Sequence, residues 1–227
     1  VRRPDRRIIT GAFSMTLRLP DSGADISIDG RRHAPSAMRN QGPILDVLRA
    51  EAPAKGKLLE IASGSGQHAA AGAKALPGLV WQPSDANPDN LISINAWAAH
   101  DPCPNLRPPV VLDAASPDWA DDWAGQDIVL IINLLHLIPT DIAAAVLAQS
   151  ARALTAKGRL MVYGPFLRDG KTTSEGDAAF DASLRSQDAS IGYKDLSWIQ
   201  AQFASAGLAV RMIEMPANNL MLIGTAR

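Results

Sequence analysis

Two glycines separated by one residue, Gly64 and Gly66, follow an apolar segment and precede an alanine-rich one. Glycine lets the backbone approach a ligand closely, and the first amides of a helix that begins after such a turn are free to bind it. The pattern therefore predicts a turn that binds a cofactor. A tight strand-to-helix turn without a ligand uses the same residues and is the competing interpretation.

Two cofactors are compatible with this turn. The order Gly64-x-Gly66-x-x-Ala69 meets the dinucleotide fingerprint, and Asp85 lies 19 residues after Gly66. An acidic residue at about that distance binds the ribose of NAD. Methyltransferases that use S-adenosylmethionine carry a similar turn, so the glycines alone favour neither cofactor.

Acidic residues at the ends of predicted strands favour S-adenosylmethionine. Glu60 ends the strand before the turn, four residues ahead of Gly64, where methyltransferases of this fold carry an acid. Asp113 ends a later strand and is placed to receive the adenine amino group, while Asp85 can accept hydrogen bonds from both ribose hydroxyls. Acids after strands are also common in turns and helix caps, so each is weak alone.

Short apolar segments alternate with helical segments through the first two thirds of the chain. The predicted strands are Lys57–Ala62, Leu79–Gln82, Val110–Leu112, Asp127–Ile132 and Gly158–Tyr163, and the predicted helices are Ser36–Ala50, Gln67–Ala75, Pro88–Ala99 and Thr140–Leu154. This alternation is typical of βαβ units and a parallel sheet.

The last third of the chain has a different pattern. A long polar stretch, Leu167–Ala189, precedes a predicted helix, Asp195–Ala206, and two predicted strands, Leu208–Glu214 and Leu220–Thr225. Strands joined by so short a turn must be antiparallel. The fold class predicted is α/β: a Rossmann-like, doubly wound class I methyltransferase sheet, mainly parallel with an antiparallel C-terminal strand. That ending favours a methyltransferase over a dehydrogenase.

Composition excludes several classes of protein. The 227 residues include 22 lysines and arginines against 23 aspartates and glutamates, a formal net charge of -1, so we expect no nucleic-acid partner. Cys103 is the single cysteine, which rules out an intrachain disulfide and zinc sites built on several thiolates; we expect no metal and a cytoplasmic location. The longest apolar run, Ile128–Ile138, is too short to span a bilayer, and we expect no export and no membrane partner. A homodimer is compatible with the sequence, which does not fix the oligomeric state.

We expect two regions of unequal importance. Residues 1–33 are predicted to be an N-terminal extension that is flexible in part, and residues 34–227 are predicted to be the methyltransferase domain. No internal repeat or linker indicates a further domain.

Several strings resemble the uncharacterised methyltransferase-like protein twenty-six family. They are Arg39-Asn40-x-x-Pro43, Leu59–Ala69, Trp81–Asp85, Ile132-Asn133-x-x-His136, Tyr163–Phe166, Phe180-Asp181-x-x-Leu184-Arg185 and Met215–Asn219. The resemblance extends from about Pro35 to the C-terminus. It implies the fold and S-adenosylmethionine as cofactor, bound by Glu60, Ala62, Gly64, Gly66, His68, Asp85, Asp113 and Asn133. Ala62 stands where the wider superfamily usually has a third glycine.

Residues after the fourth and fifth main strands are predicted to face the methyl donor, because ligands in this architecture bind beyond the carboxyl ends of the strands. These candidates for catalysis are Asn133, His136 and Tyr163. An ordinary histidine pKa of about 6.5 would suit His136 as a general base, but it also lies in an apolar stretch where it could simply pack. Methyl transfer to an oriented, desolvated nucleophile needs no base.

Five further residues are predicted to bind the substrate: Arg39, Asn40, Phe166, Arg185 and Asn218. Arginine can bind a carboxylate bidentately, and asparagines near the mouth of a pocket can fold over a ligand. A solvated helix face, a surface ion pair and a hairpin turn are the alternatives for Arg39, Arg185 and Asn218.

The function predicted is transfer of a methyl group from S-adenosylmethionine to an oxygen, nitrogen or sulfur nucleophile of a small molecule. An NAD-linked oxidoreductase and a non-catalytic S-adenosylmethionine-binding regulatory or interaction protein are the alternatives.

Overall fold

A computed structural model of the protein describes residues 24–227, so most of the predicted N-terminal extension lies outside the described residues. The strands are β1 (Asp25–Ile26), β2 (Arg32–His33), β3 (Gly56–Ile61), β4 (Leu79–Asp85), β5 (Val110–Val111), β6 (Gln126–Ile132), β7 (Leu154–Pro165), β8 (Leu208–Glu214) and β9 (Asn219–Ala226). The helices are α1 (Pro35–Glu51), α2 (Gln67–Ala75), α3 (Pro88–His100), α4 (Trp119–Asp122), α5 (Thr140–Arg152), α6 (Glu175–Gln187) and α7 (Leu196–Ser205).

Seven strands form one sheet in the order β5-β4-β3-β6-β7-β9-β8. Strands β3 to β7 pair in parallel, whereas β9 runs antiparallel to both of its neighbours, β7 and β8. The mainly parallel sheet with one antiparallel C-terminal strand confirms the predicted fold class.

Both faces of the sheet are covered because its central strands are apolar on both sides. The residues of β6 from Ile128 to Ile131 are all fully buried, as expected for a central parallel strand. Their side chains alternate between two cores. Ile128 packs in the core under α1 and α2, and Val129 packs in the core that includes Val146 of α5 and Phe203 of α7.

Helix α1 has two halves that do different work. Its second half buries Ile44, Leu45 and Leu48 against the sheet, whereas the first half is largely exposed. Pro43 lies between the two halves. Because proline has no N–H, the carbonyl of Arg39 lacks its usual intrahelical donor.

Three predicted features differ from the structure. Residues 25–33, predicted to be part of the extension, form the small β1–β2 hairpin, which is joined to α3 through a hydrogen bond from Arg32 N to Ser93 Oγ of 2.9 Å. The stretch Leu167–Ala189 contains α6, which the polar sequence concealed because Leu184 is its only buried residue. Helix α4 was also missed, being a single turn.

None of the helices in residues 24–227 has the length and apolar content that a bilayer crossing requires.

Close packing of α2 on β4 gives a test of the fold. A Cβ on Gly72 of α2 would lie 2.1 Å from the ring of Trp81. We expect Gly72→Ala to lower the free energy of unfolding by roughly 1–3 kcal/mol, because the fully buried ring must move. Gly176→Ala in α6 is the matched control, since its Cβ would have no neighbour nearer than 3.8 Å. Urea unfolding should show a gain of up to about 1 kcal/mol, or no change, for that control. Equal stability of the two variants would contradict the packing described.

Candidate functional site

The carboxyl ends of the parallel strands open into a cavity of about 1560 Å³. Asp113, Asp85, Glu60, Asn133 and Tyr163 line it from the ends of β5, β4, β3, β6 and β7, in the order in which these strands lie in the sheet. Sites for one small ligand measure roughly 300–1,000 Å³. The cavity therefore has room for two ligands side by side.

The Asp85 carboxylate joins the two loops that frame the cavity. It is 2% exposed; its Oδ2 accepts a hydrogen bond from Gly64 N and its Oδ1 accepts one from Asn87 N, both of 2.9 Å. Each carboxylate oxygen can accept a second hydrogen bond. Asp85 thus fixes the glycine turn to the start of α3 and still has acceptor capacity for a ligand.

The residues of the glycine turn have separate tasks. Gly64 (φ +55°) and Ala62 (φ +53°) line the cavity, and a Cβ on Gly64 would meet no atom nearer than 4.0 Å. Gly66 (φ +85°) does not line it. A Cβ on Gly66 would lie 2.8 Å from Ile94 Cα, so Gly66 allows α3 to pack against the turn, and its predicted contact with the cofactor stays a prediction.

Glu60 is buried at the inner wall of the cavity. Its Oε2 accepts a hydrogen bond of 2.8 Å from Trp81 Nε1. Burial raises the pKa of Glu60 to about 7, because desolvation disfavours the charged form more than the Trp81 and Ser63 hydrogen bonds favour it. The carboxyl is therefore partly protonated at neutral pH when no ligand is present.

The two histidines of the cavity are neutral at pH 7. Burial lowers the pKa of His68, on α2, to about 4. Burial, followed by the charge of Lys194, lowers the pKa of His136 to about 3. The ordinary pKa expected for His136 from sequence is thus wrong, because the side chain is only 6% exposed.

Aromatic rings surround His136. It lies in a short 3-10 helix, Leu135–Leu137, and its ring meets those of Phe180 and Tyr193 edge to face, with centroids 5.8 and 5.9 Å apart. On the other side, the absent side chain of Gly164 leaves space: a Cβ there would lie 3.9 Å from His136 Nδ1 and 3.8 Å from Asn133 Oδ1. The predicted pair Asn133 and His136 therefore faces one point at the end of β7.

Phe180 and Tyr193 form an aromatic wall beside His136. The residues that hold this wall in place were not predicted from the sequence. Asp177 of α6 accepts hydrogen bonds from the Tyr193 hydroxyl (3.2 Å) and from Asn218 Nδ2 (3.0 Å). The buried Lys194 Nζ donates to the carbonyls of Ile138 (2.7 Å) and Gly192 (3.0 Å), and burial lowers its pKa to about 8. The capping pattern Ser174-x-x-Asp177 was the one sequence signal for α6.

Three residues predicted to bind substrate do not line the cavity. Phe166, the residue after β7, is 3% exposed and packs in the same core as Leu160 and Val162. The Arg185 guanidinium pairs with Asp181 (2.9 Å) and Asn218 is tied to Asp177, so both are occupied within the protein.

The remaining predicted site residues do line the cavity: Arg39, Asn40, Glu60, Ala62, Gly64, His68, Asp85, Asp113, Asn133, His136 and Tyr163. The cavity lining contains five carboxyl groups and two arginines.

A sheet ordered in this way, with a single reversed strand and a cavity at the carboxyl ends, defines the class I methyltransferase fold. The chain belongs to the family described as "Protein of unknown function (DUF938)", whose model matches residues 31–225.

Solved structures show the same fold. An O-methyltransferase family protein from Burkholderia thailandensis is 19% identical, with a TM-score of 0.72 over 84% of this chain and 57% of that chain. An O-methyltransferase family 2 protein from Planctomyces limnophilus DSM 3776, in complex with apigenin, is 22% identical, with a TM-score of 0.75 over 86% and 59%. The structure described as PigF with SAH is 19% identical, with a TM-score of 0.68 over 81% and 54%. The chain thus matches a little over half the length of these proteins.

The buried carboxyl of Glu60 gives a pH-dependent prediction for the ligand-free protein. Because its pKa is raised from 4.5 to about 7, the stability that protonation provides is fully present below about pH 4.5 and is lost as pH rises through about 7. Glu60→Gln keeps an acceptor for Trp81 but cannot ionise. We expect the stability of the variant relative to the natural protein to rise by on the order of 2–3 kcal/mol between about pH 5 and about pH 8 in urea unfolding.

The control for that measurement is Glu214→Gln, because the Glu214 side chain is 85% exposed. It should leave the pH dependence unchanged. A parallel pH dependence of Glu60→Gln and the natural protein would contradict the raised pKa.

Proposed function

We propose that the protein is a methyltransferase that uses S-adenosylmethionine and acts on an oxygen, nitrogen or sulfur nucleophile of a small molecule. The observation that carries the proposal is the cavity at the carboxyl ends of β3 to β7, which is large enough for a cofactor and an acceptor together. The proposal of a small-molecule substrate also rests on the five carboxyl groups of the lining, because they disfavour a polyanionic substrate.

The cofactor half of the cavity comprises the glycine turn and the ends of β4 and β5. The spare acceptor capacity of Asp85 suits the two ribose hydroxyls, and Asp113, next along the sheet, suits the adenine amino group. Gly64 leaves the space that a closely approaching ligand requires. S-adenosylmethionine, when bound, supplies a methyl group activated by a sulfonium.

The acceptor half comprises the ends of β6 and β7 and the aromatic wall. Phe180 and Tyr193 pack against His136, which is only 6% exposed, and a nucleophile held beside so buried a group is more reactive than in water. Neutral His136 has a free ring nitrogen that can accept a proton from the nucleophile, and Asn133 and Tyr163 can orient it. The low pKa keeps His136 unprotonated at neutral pH, so its ring nitrogen is available to the proton that the nucleophile loses as it is methylated.

The reversed strand argues against the NAD-linked alternative. Doubly wound dinucleotide-binding sheets continue with a further parallel strand, in the order 3-2-1-4-5-6. Here β9 is antiparallel at that position. The resemblance to the methyltransferase-like protein twenty-six family is part of the same proposal.

Binding of the cofactor product tests the proposal directly. We expect S-adenosylhomocysteine to bind in calorimetric titrations with a dissociation constant of about 1 μM or lower, corresponding to about -8 kcal/mol. Asp113→Ala should weaken binding roughly 10- to 100-fold through loss of one charge-assisted hydrogen bond. Asp101→Ala is the control, because Asp101 pairs with Lys74 at the surface. Absence of binding by both S-adenosylmethionine and S-adenosylhomocysteine would overturn the proposal.

The role of His136 predicts a dependence on the acidity of the acceptor. His136→Ala should lower kcat roughly 10²-fold for acceptors that are protonated at the assay pH, because a general base contributes about that much. The loss should shrink towards none along a series of acceptors that are already anionic. Initial rates over such a series check this. A constant loss across the series would instead indicate that His136 only shapes the wall.

A further inference from the structure

Arg39 and Asn40 lie on the cavity face of α1, together with Ser36 and Ala37. None of the ion pairs formed within residues 24–227 involves Arg39. The other arginine of the lining, Arg32, is held by Asn90, to whose Oδ1 it donates a hydrogen bond of 2.6 Å. Arg39 is therefore the guanidinium of the cavity that a carboxylate can engage.

Asn40 carries an unsatisfied acceptor beside this guanidinium. Its Oδ1 is enclosed and receives no hydrogen bond from any group in residues 24–227. Burial raises the pKa of the neighbouring Tyr163 hydroxyl, and the Asn40 amide partly opposes that shift. A buried carbonyl without a donor costs about 1–3 kcal/mol. Rotation of the Asn40 side chain would bring this oxygen to the cavity, so binding of a ligand that supplies an N–H is favoured.

The start of α1 is fixed to the glycine turn. Gln67 Oε1, at the first residue of α2, accepts hydrogen bonds from Ala34 N (2.6 Å) and Ser65 Oγ (3.1 Å). From Ala34 to Asn40 the helix advances about 9 Å, which is close to the spacing of roughly 10 Å between the ends of β3 and β7. The side-chain amide of Asn40 lies beside the Tyr163 hydroxyl at the end of β7, so this turn of α1 reaches that side of the cavity.

The end of β7 is three strands, roughly 14 Å, from the end of β4, where Asp85 suits a ribose. A ligand that begins at Asp113 and Asp85 and crosses the ends of β3 and β6 thus has its far end at Arg39 and Asn40. A simple carboxylate would satisfy Arg39 alone. An α-amino acid group satisfies both residues, since its carboxylate suits the guanidinium and its ammonium suits the amide oxygen.

We propose that Arg39 and Asn40 form the subsite for the α-amino acid end of the cofactor, and that they do not bind the methyl acceptor as the sequence suggested. The inference rests on the proposed function. It makes α1 a part of the cofactor site and leaves the acceptor to the wall of His136, Phe180 and Tyr193.

Two ligands that differ only in the amino acid part test this subsite. S-adenosylhomocysteine has it, whereas 5′-methylthioadenosine has the adenosine and the sulfur without it. We expect Arg39→Ala to weaken S-adenosylhomocysteine binding at least 10-fold in calorimetric titrations and to change 5′-methylthioadenosine binding less than twofold. Asn40→Leu should show the same selectivity, and Arg39→Lys a smaller loss. Arg49→Ala is the control, because Arg49 lies on the same helix and pairs with Asp46 at the surface.

The outcomes separate this inference from the function on which it rests. If Arg39→Ala weakens both ligands equally, or neither, the subsite is overturned while the methyltransferase proposal stands. A raised KM for the methyl acceptor with unchanged S-adenosylhomocysteine affinity would likewise overturn the subsite and indicate that Arg39 binds the methyl acceptor. If neither ligand binds the natural protein, both proposals fail. Thermal unfolding midpoints of the variants within a few degrees of the natural protein show that the helix is intact.

Discussion

The geometry of the site depends on one buried carboxylate. Asp85 accepts a backbone hydrogen bond from the glycine turn after β3 and another from the start of the helix after β4. Parallel strands bring these loops to the same edge of the sheet, and the shared acceptor, together with the hydrogen bond from Ser93 Oγ to the Ser65 carbonyl (2.6 Å), fixes them to each other. A buried charge of this kind is stable because both oxygens are satisfied by backbone amides. The cavity wall is therefore set before any ligand arrives, which lowers the entropy cost of binding.

Burial governs the charge states of the titratable groups that line the cavity. Desolvation raises the pKa of Glu60 and lowers those of His68 and His136, so Glu60 is partly protonated at neutral pH and both histidines are neutral. Asp85 and Asp113 lie where backbone amides support the carboxylates. The deep side of the cavity thus holds neutral histidines beside supported carboxylates, and the lining also includes the guanidinium of Arg39 and the carboxylate of Asp177.

The sheet was predictable because its signals are local. Buried strands such as β6 are continuous apolar runs, and the glycine turn and the acids at strand ends follow from spacing. The acceptor side was less predictable. Phe180 and Tyr193 meet His136 through a polar helix and a loop that carry no periodic pattern, and Phe166 is buried in the core although the sequence suggested a place at the substrate. Contacts between distant segments decide these positions, and a single sequence does not display them.

Pro43 separates the halves of α1, and the two halves have different structural roles. Residues after it anchor the helix in the core through Ile44, Leu45 and Leu48, whereas the cavity-lining residues of α1 all come before it. A substitution at Ser36, Arg39 or Asn40, which line the cavity and lie outside the core, alters what the cavity recognises at little expense in core packing. The first turns of α1 are thus a site at which descendants of this scaffold can acquire a new ligand preference while the remainder of the protein is retained.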